Sequence, residues 1–582
     1  MDLSRPHSSL SQPDLQGTAC NMDLFSTPEF SAYVKKLIER NHVPGIAIAV
    51  VQGQDVDSFA FGKASLETSR DFTPETLFCV GSAAKSLTAA AVAVLVGDNE
   101  NYPHVQFTST MASLLPDDFA MPGEDEKSRR AENSWRGPGL RSKTCSRALM
   151  VRMLSPESLL LTVPLVDFHP DIIDSTAVAP PPFGRGRWTL TALCSHEYSI
   201  LGPNAKQPDN ARSITRNLRN LSCVSKNRAE HVYCNMMYTV ATHLVEHVSG
   251  MSFGDFLEKH IFAPLKMDST CLLQDRVRAR GLAHRLASGY SWDRPGQRYK
   301  ELRCNDGPES QGAGQIYATV DDYLKWVKAM INREGPITDA IYKELTTKRI
   351  QQDPAEDREQ ESCTFYALGW QVHEYGGHKI VSHDGGEPGF QCNHFFIPDL
   401  KFGGVIFSNS DQADTIVSLL MYKLIDELVH ASLGGKVQHE DESDSESESV
   451  SGSGSEAEED DYDMEEELRQ ELSPGLGEPE PQKLPLSAYT GRYQHPGYHG
   501  IEVEDKDGAL YVDGTDRSYG FSLTMKHICN QTKYIAYVSQ TFEDSDIPIK
   551  VEFRLDNNRA VAIGIHLEER MDEYIWFDRL EG

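Results

Sequence analysis

A run of acid divides this chain. Between Glu440 and Glu471, sixteen aspartates and glutamates stand against a single base, Arg469. The segment EDESDSESESVSGSGSEAEEDDYDMEEEL has almost no apolar surface to bury, and its like charges repel one another. It is expected to be a disordered spacer. A chain interrupted in this way folds as separate units on either side, and a length of 582 residues alone suggests two to four. The division read from the sequence is a disordered N-terminus over 1–25, a first folded unit over 26–435, an acidic linker over 436–484 and a second folded unit over 485–582.

The acid run also explains the formal charge of −31. The run contributes −15, so the other 550 residues share −16, an ordinary acidic surface. Such a surface repels the phosphates of nucleic acids. No stretch approaches the ~18–20 continuous apolar residues of a membrane-spanning helix, and the N-terminus lacks the apolar core of a secretory signal. The eleven cysteines are scattered singly, without metal-ligand spacing. A cytoplasmic protein with no metal, no cofactor, no nucleic-acid partner and no membrane partner is expected.

Before the spacer, helix and strand patterns alternate. Thr27-Pro28 can cap a helix whose apolar positions Phe30, Tyr33, Val34, Leu37 and Ile38 share one face, closed by Pro44-Gly45. Ile46–Gln52 and Asp57–Gly62 read as paired strands. ALGWQVHE, KIVSH, FQCNHFFI and KFGGVIFSN read as further strands, followed by a helix over Ala413–Ala431. The pattern predicts a mixed α+β unit with one sheet packed by helices. After the spacer, Ile501/Val503, Leu510/Val512, Val551/Phe553/Leu555 and Ile563/Ile565/Leu567 alternate with polar residues. Roughly eight short strands in a small antiparallel barrel or sandwich fit that period.

The chemistry lies in the first unit. In GSAAKSLTAAAVAVLVG, Ser82 precedes a helix apolar on every side and therefore buried. Lys85 follows three residues later, on the same helix face. Serine is a poor nucleophile until a base takes its proton, and a desolvated lysine can be that base. The helix N-terminus places free N–H groups where an oxyanion would form. Further on, Tyr233 and Asn235 stand just before an amphipathic helix bearing Val240, Leu244, Val245 and Val248. His383, Asp384 and Gly385 stand at a strand end beside further glycines.

Gly81–Lys85, Tyr233–Asn235 and His383–Gly385 resemble, in order and context, the three motifs of the serine β-lactamase-related family. That family includes class C β-lactamases, penicillin-binding proteins, esterases, D-aminopeptidases and acyltransferases. Phe61–Thr68, Phe262–Thr270, Gly314–Trp326 and Tyr366–Trp370 agree with it. The resemblance implies a β-lactamase/transpeptidase-like fold, a central antiparallel sheet flanked by helices. The last hundred residues resemble the lipocalin-like barrels appended to several such hydrolases.

The resemblance also implies roles. Ser82 would form the acyl-enzyme and Lys85 would hold or accept its proton. Tyr233 would serve as general base and acid, its pKa lowered by Lys85. Asn235 would orient the substrate or the lysine, and the backbone N–H groups of Ser82 and Gly386 would form the oxyanion hole. His383, with Gly385 behind it, stands where β-lactamases carry a lysine that binds a carboxylate. A histidine of ordinary pKa, ~6.5, is mostly neutral at pH 7, so uncharged small-molecule esters or amides are the expected substrates. Members with this histidine are often esterases, and some fungal relatives work in secondary-metabolite pathways, a role the resemblance extends to this chain by analogy. Hydrolysis, acyl transfer, D-amino-acid peptidase activity and an inactive binding role all remain compatible with the sequence. Between Gly123 and Leu190 about sixty residues intervene that the resemblance does not account for. This insertion, about 124–188, is irregular and arginine-rich, and LCSHEYSIL after it follows the family pattern only in part.

Overall fold

Thr27 accepts a hydrogen bond from the Phe30 backbone N–H at 3.1 Å and opens helix α1 (Pro28–Arg40), as the Thr-Pro pair predicts. Phe30, Val34 and Ile38 are buried on its inner face, while Tyr33 lies on the outer side. The structure, a computed structural model, describes residues 25–120, 196–224, 231–302, 306–352, 363–432, 464–475, 478–541, 546–568, 571 and 573–581. The insertion expected at 124–188 and most of the N-terminal and acidic segments lie outside the described residues.

One antiparallel sheet organises the first unit. Its long strands are β1 (Gly45–Gln52), β2 (Asp55–Ser65), β3 (Gln371–Tyr375), β4 (His378–Glu387), β5 (Phe390–Ile397) and β6 (Phe402–Ser408). They run in the order β2-β1-β6-β5-β4-β3. The short strands Arg70–Asp71, Phe365–Tyr366 and Ile350–Gln351 extend the edges to nine strands. Seven of the eight residues of β1 are buried, because both sheet faces are covered. Ile46, Ile48 and Val50 turn toward α1 and the helix α5 (Asp414–Ser432). Ala47, Ala49 and Val51 turn toward α2 (Ala84–Gly97), α3 (Asn235–Ser249) and α4 (Val320–Asn332). The side-chain period of two sends alternate residues to opposite faces, and an all-apolar strand such as IAIAVV satisfies both. Among the described residues no helix is long and apolar enough to cross a membrane.

The second unit is a closed barrel of eight strands, β7 (Gly491–His495), β8 (His499–Lys506), β9 (Ala509–Gly514), β10 (Phe521–Cys529), β11 (Lys533–Gln540), β12 (Ile547–Asp556), β13 (Arg559–Ile565) and β14 (Ile575–Arg579). Each pairs with the next, and Tyr493 of β7 pairs with Arg579 of β14 to close the ring. Val503, Val512, Val551, Phe553, Ile563 and Ile565 point inward and are buried, which is the alternation seen in the sequence.

Part of the stretch expected to be spacer is helical. Met464–Leu472 forms α6, with Leu472 packed against Ile528, Cys529 and Ile535 of the barrel. Glu465 pairs with Lys526 and Glu471 with Lys550, each at 2.6 Å. The barrel's lysines turn these acids from a repelling run into partners.

The barrel is seated on the first unit through Ser199–Gly202. Gly202 N–H donates to Asp516 O and Ser518 N–H donates to Ile200 O, both at 2.9 Å. Arg517, 3% exposed, donates to the carbonyls of Tyr198 (3.1 Å), Tyr498 (3.0 Å) and Gly500 (2.9 Å). Guanidinium donors fixed in this fork tie both units to one side chain.

Phe553 anchors the barrel interior, its ring 5.0 Å from Tyr489 and 5.3 Å from Tyr534. Phe553→Ala is expected to destabilise the barrel by about 3–5 kcal/mol, read as a lower denaturant midpoint for its unfolding.

Candidate active site

The nucleophile candidate sits on a turn that glycine makes possible. Gly81 adopts φ +47°, a left-handed conformation that favours glycine, and Gly81–Ala83 form a single 3₁₀ turn leading into α2. Tyr323 of α4 donates its hydroxyl to Ala83 O at 2.8 Å, and Trp326 donates to Ser86 Oγ at 3.1 Å. Thr88 reaches Gly312 O at 2.7 Å. The helix start is thus tied to two other parts of the fold.

Lys85 is fully buried. Its Nζ donates to Ser82 Oγ at 2.8 Å and to Ala313 O at 2.9 Å. Burial penalises the ammonium form and brings the pKa down to about 7, against the opposing pull of Glu197, Glu387 and Asp384. The Tyr233 ring lies 4.8 Å from Nζ, and its hydroxyl hydrogen-bonds Ser82. Burial raises the Tyr233 pKa well above 10. This differs from the expectation of a lowered pKa: desolvation of the phenolate outweighs the lowering influence of Ser82, so Tyr233 holds its proton at neutral pH.

Asn235, the first residue of α3, donates from Nδ2 to Glu197. Its Oδ1 is buried without a hydrogen-bond partner. Glu197 is itself buried, in a 3₁₀ turn over Glu197–Ser199.

His383 lies on β4 and is 1% exposed. Its Nδ1 lies 2.6 Å from Asp384 O and its Nε2 2.9 Å from the Tyr366 hydroxyl. A carbonyl can only accept, so Nδ1 carries the proton and Nε2 accepts from Tyr366. The Tyr366 oxygen in turn accepts from Tyr238 at 3.2 Å. Burial lowers the His383 pKa, so the ring is neutral. Its ring is enclosed, and both nitrogens are engaged within the protein.

Gly385 and Gly386 bring β4 against the nucleophile turn. A Cβ on Gly385 would lie 2.2 Å from Val80 O and 2.9 Å from Ala83 N. One on Gly81 would lie 2.6 Å from Gly386 O. Only glycine allows two backbones to approach this closely, and the approach places Gly386 beside Ser82. The structure therefore brings Ser82, Lys85, Tyr233, Asn235, Gly385 and Gly386 into one region, with His383 behind them. Sequence reading missed the acids there, Glu197 and Glu387. Burial lifts the Glu387 carboxyl to about 7, with Lys85 opposing.

Comparison with known proteins decides the family. Residues 30–420 match the sequence model described as Beta-lactamase, and residues 477–579 match a domain of unknown function, DUF3471. The chain is a member of the beta-lactamase family. It is 28% identical to unguisins hydrolase of Aspergillus campestris, the alignment covering 95% of this chain and 91% of the relative. Identity to a D-aminopeptidase of Brucella ovis is 24%, over 67% of this chain and 60% of that protein. Among solved structures, the octameric penicillin-binding protein homologue from Pyrococcus abyssi superposes with a TM-score of 0.50 at 16% identity. That match covers 94% of this chain and 99% of the other, and it shares the fold. The beta-lactamase fold thus accounts for the sheet and for the helices that carry Ser82 and Asn235.

The contact between Gly81 and Gly386 leaves no room for a methyl group. Gly81→Ala is expected to displace Ser82 and slow its labelling by a fluorophosphonate by about 10²-fold, the cost of a misplacement near 1 Å. Circular dichroism should be unchanged.

Proposed function

We propose that this beta-lactamase-family hydrolase cleaves ester or amide bonds of small molecules through an acyl-enzyme on Ser82, with Lys85 as the base. The observation that carries this reading is the buried Lys85 amine, 2.8 Å from Ser82 Oγ with a pKa near 7. Neutral Lys85 takes the Ser82 proton as Oγ attacks the carbonyl carbon. The backbone N–H groups of Ser82 and Gly386 stabilise the oxyanion. Tyr233, still protonated, gives its proton to the leaving group and regains one from the Lys85 ammonium. Water then attacks the ester on Ser82, Lys85 taking a proton from the water and passing it to Ser82 Oγ as the acid departs.

The charge around the site supports a substrate class. Glu197, Glu387 and Asp384 all act on Lys85, and His383 is neutral and enclosed. An anionic substrate gains nothing from such surroundings, whereas neutral or cationic esters and amides are tolerated. Relatives named unguisins hydrolase and D-aminopeptidase favour hydrolysis over transfer, and the former suits a role in secondary metabolism.

Ser82→Ala is expected to abolish fluorophosphonate labelling, and Lys85→Ala to slow acylation by roughly 10²–10⁴-fold. Because Lys85 acts in its neutral form, acylation should rise as pH increases through about 7. That limb should vanish in Lys85→Ala. Full activity of Ser82→Ala would refute the assignment.

Substrate charge gives a separate check. The protein should turn over short p-nitrophenyl esters much faster than nitrocefin, which carries a carboxylate. Efficient nitrocefin hydrolysis would contradict the acidic-site reading.

A further inference from the structure

The second unit reaches the first at the catalytic cleft. The loop between β9 and β10, Thr515–Gly520, lies against the segment that carries Glu197. Gly202 and Ile200 bond its backbone at Asp516 and Ser518. Leu201 pairs with Arg517 in an antiparallel bridge, and Ser518 Oγ donates to the buried Glu309 at 2.7 Å. These contacts hold the next residue, Tyr519, over the site. The residue is 42% exposed, and Glu197 is the group that acts most strongly on its hydroxyl. Glu387 and Tyr233 also lie within electrostatic reach of it.

Glu197 thus has a neighbour from each unit of the protein: Asn235 Nδ2 of the catalytic unit donates to it, and the Tyr519 hydroxyl of the barrel faces it. A carboxylate can only accept, so its position decides which end of the Asn235 amide faces it. The amide nitrogen is held by Glu197, and Oδ1, buried and without a partner, is left for a donor within the site. A buried carboxylate needs hydrogen bonds to stay ionised.

We propose that Tyr519 is a positioning residue of the hydrolase site: with Asn235 it clamps Glu197, and through Glu197 it fixes the Asn235 amide beside Ser82. The docked barrel thereby completes a catalytic centre built in the other unit. The proposal rests on Ser82 being the nucleophile, and its test keeps the two apart.

Full-length protein, Tyr519→Phe, Glu197→Gln and the double variant are compared by the kinetics of fluorophosphonate inactivation, with the label mapped by mass spectrometry. Tyr519→Phe keeps the ring and removes only the hydroxyl. It should lower the maximal inactivation rate by about tenfold, the size of one hydrogen bond to a charged group. The half-saturating probe concentration and the melting temperature should stay as in the unsubstituted chain. The double variant should be no slower than Glu197→Gln alone, because both changes disable one clamp. A wild-type rate for Tyr519→Phe, or losses that multiply in the double variant, overturns the proposal. If Ser82 still carries the label in that case, the hydrolase reading survives. No label on Ser82 in the unsubstituted chain overturns both. Should Glu197→Gln fail to fold, the Tyr519→Phe rate alone decides.

Discussion

Desolvation of a single amine is the constraint on which the site depends. Lys85 is enclosed on a helix that buries no other charged residue, and its two hydrogen bonds go to neutral oxygens. Burial in such surroundings costs the charged form several kcal/mol unless it is paired. That cost is what makes the amine a base at neutral pH. The packing of α2 against α3 and α4, the ties from Tyr323 and Trp326 and the glycine contacts beneath Ser82 all serve to keep the amine enclosed. The three acids nearby work in the opposite direction. They limit how far the pKa falls, so the lysine stays close to the range in which it can both accept and return a proton.

The same competition explains Tyr233. Burial holds the phenol in its neutral form, and the amine that might have stabilised its anion has itself lost part of its charge. Two neighbouring groups with opposite charged forms are both driven to neutrality. The proposed division of labour between base and proton donor follows from burial and needs no special chemistry in either side chain.

Much of this was legible from residues alone, and what was missed has physical reasons. Ser82 and Lys85 stood out because a three-residue spacing on a helix places them on one face. The barrel followed from side-chain alternation, as in Ile501/Val503 and Val551/Phe553, and the sheet from short apolar runs such as Ile46–Gln52. The direction of the Tyr233 shift was misread because burial depth is a tertiary property. Glu197 lies in LCSHEYSIL, which follows the family pattern only in part, so nothing marked it. Tyr519 lies beyond the acid run in a unit with no catalytic motif. Helix α6 was hidden for a related reason: Glu465 and Glu471 find their lysines 61 and 79 residues further along the chain. A run of acids looks unfoldable until its partners are known.

The ring closure of the barrel has a consequence for the order in which the molecule can be made. Tyr493 on the first strand must pair with Arg579 on the last, and the loop that seats the barrel against Ile200 and Gly202 belongs to this ring. On a ribosome, the helix bearing Ser82 emerges early and can pack long before residue 579 has been added. The seat beside Glu197 stays unfilled during that interval. Ser82 thus leaves the ribosome well ahead of the strand that closes the ring, and the surface beside Glu197 is covered only once that strand has followed.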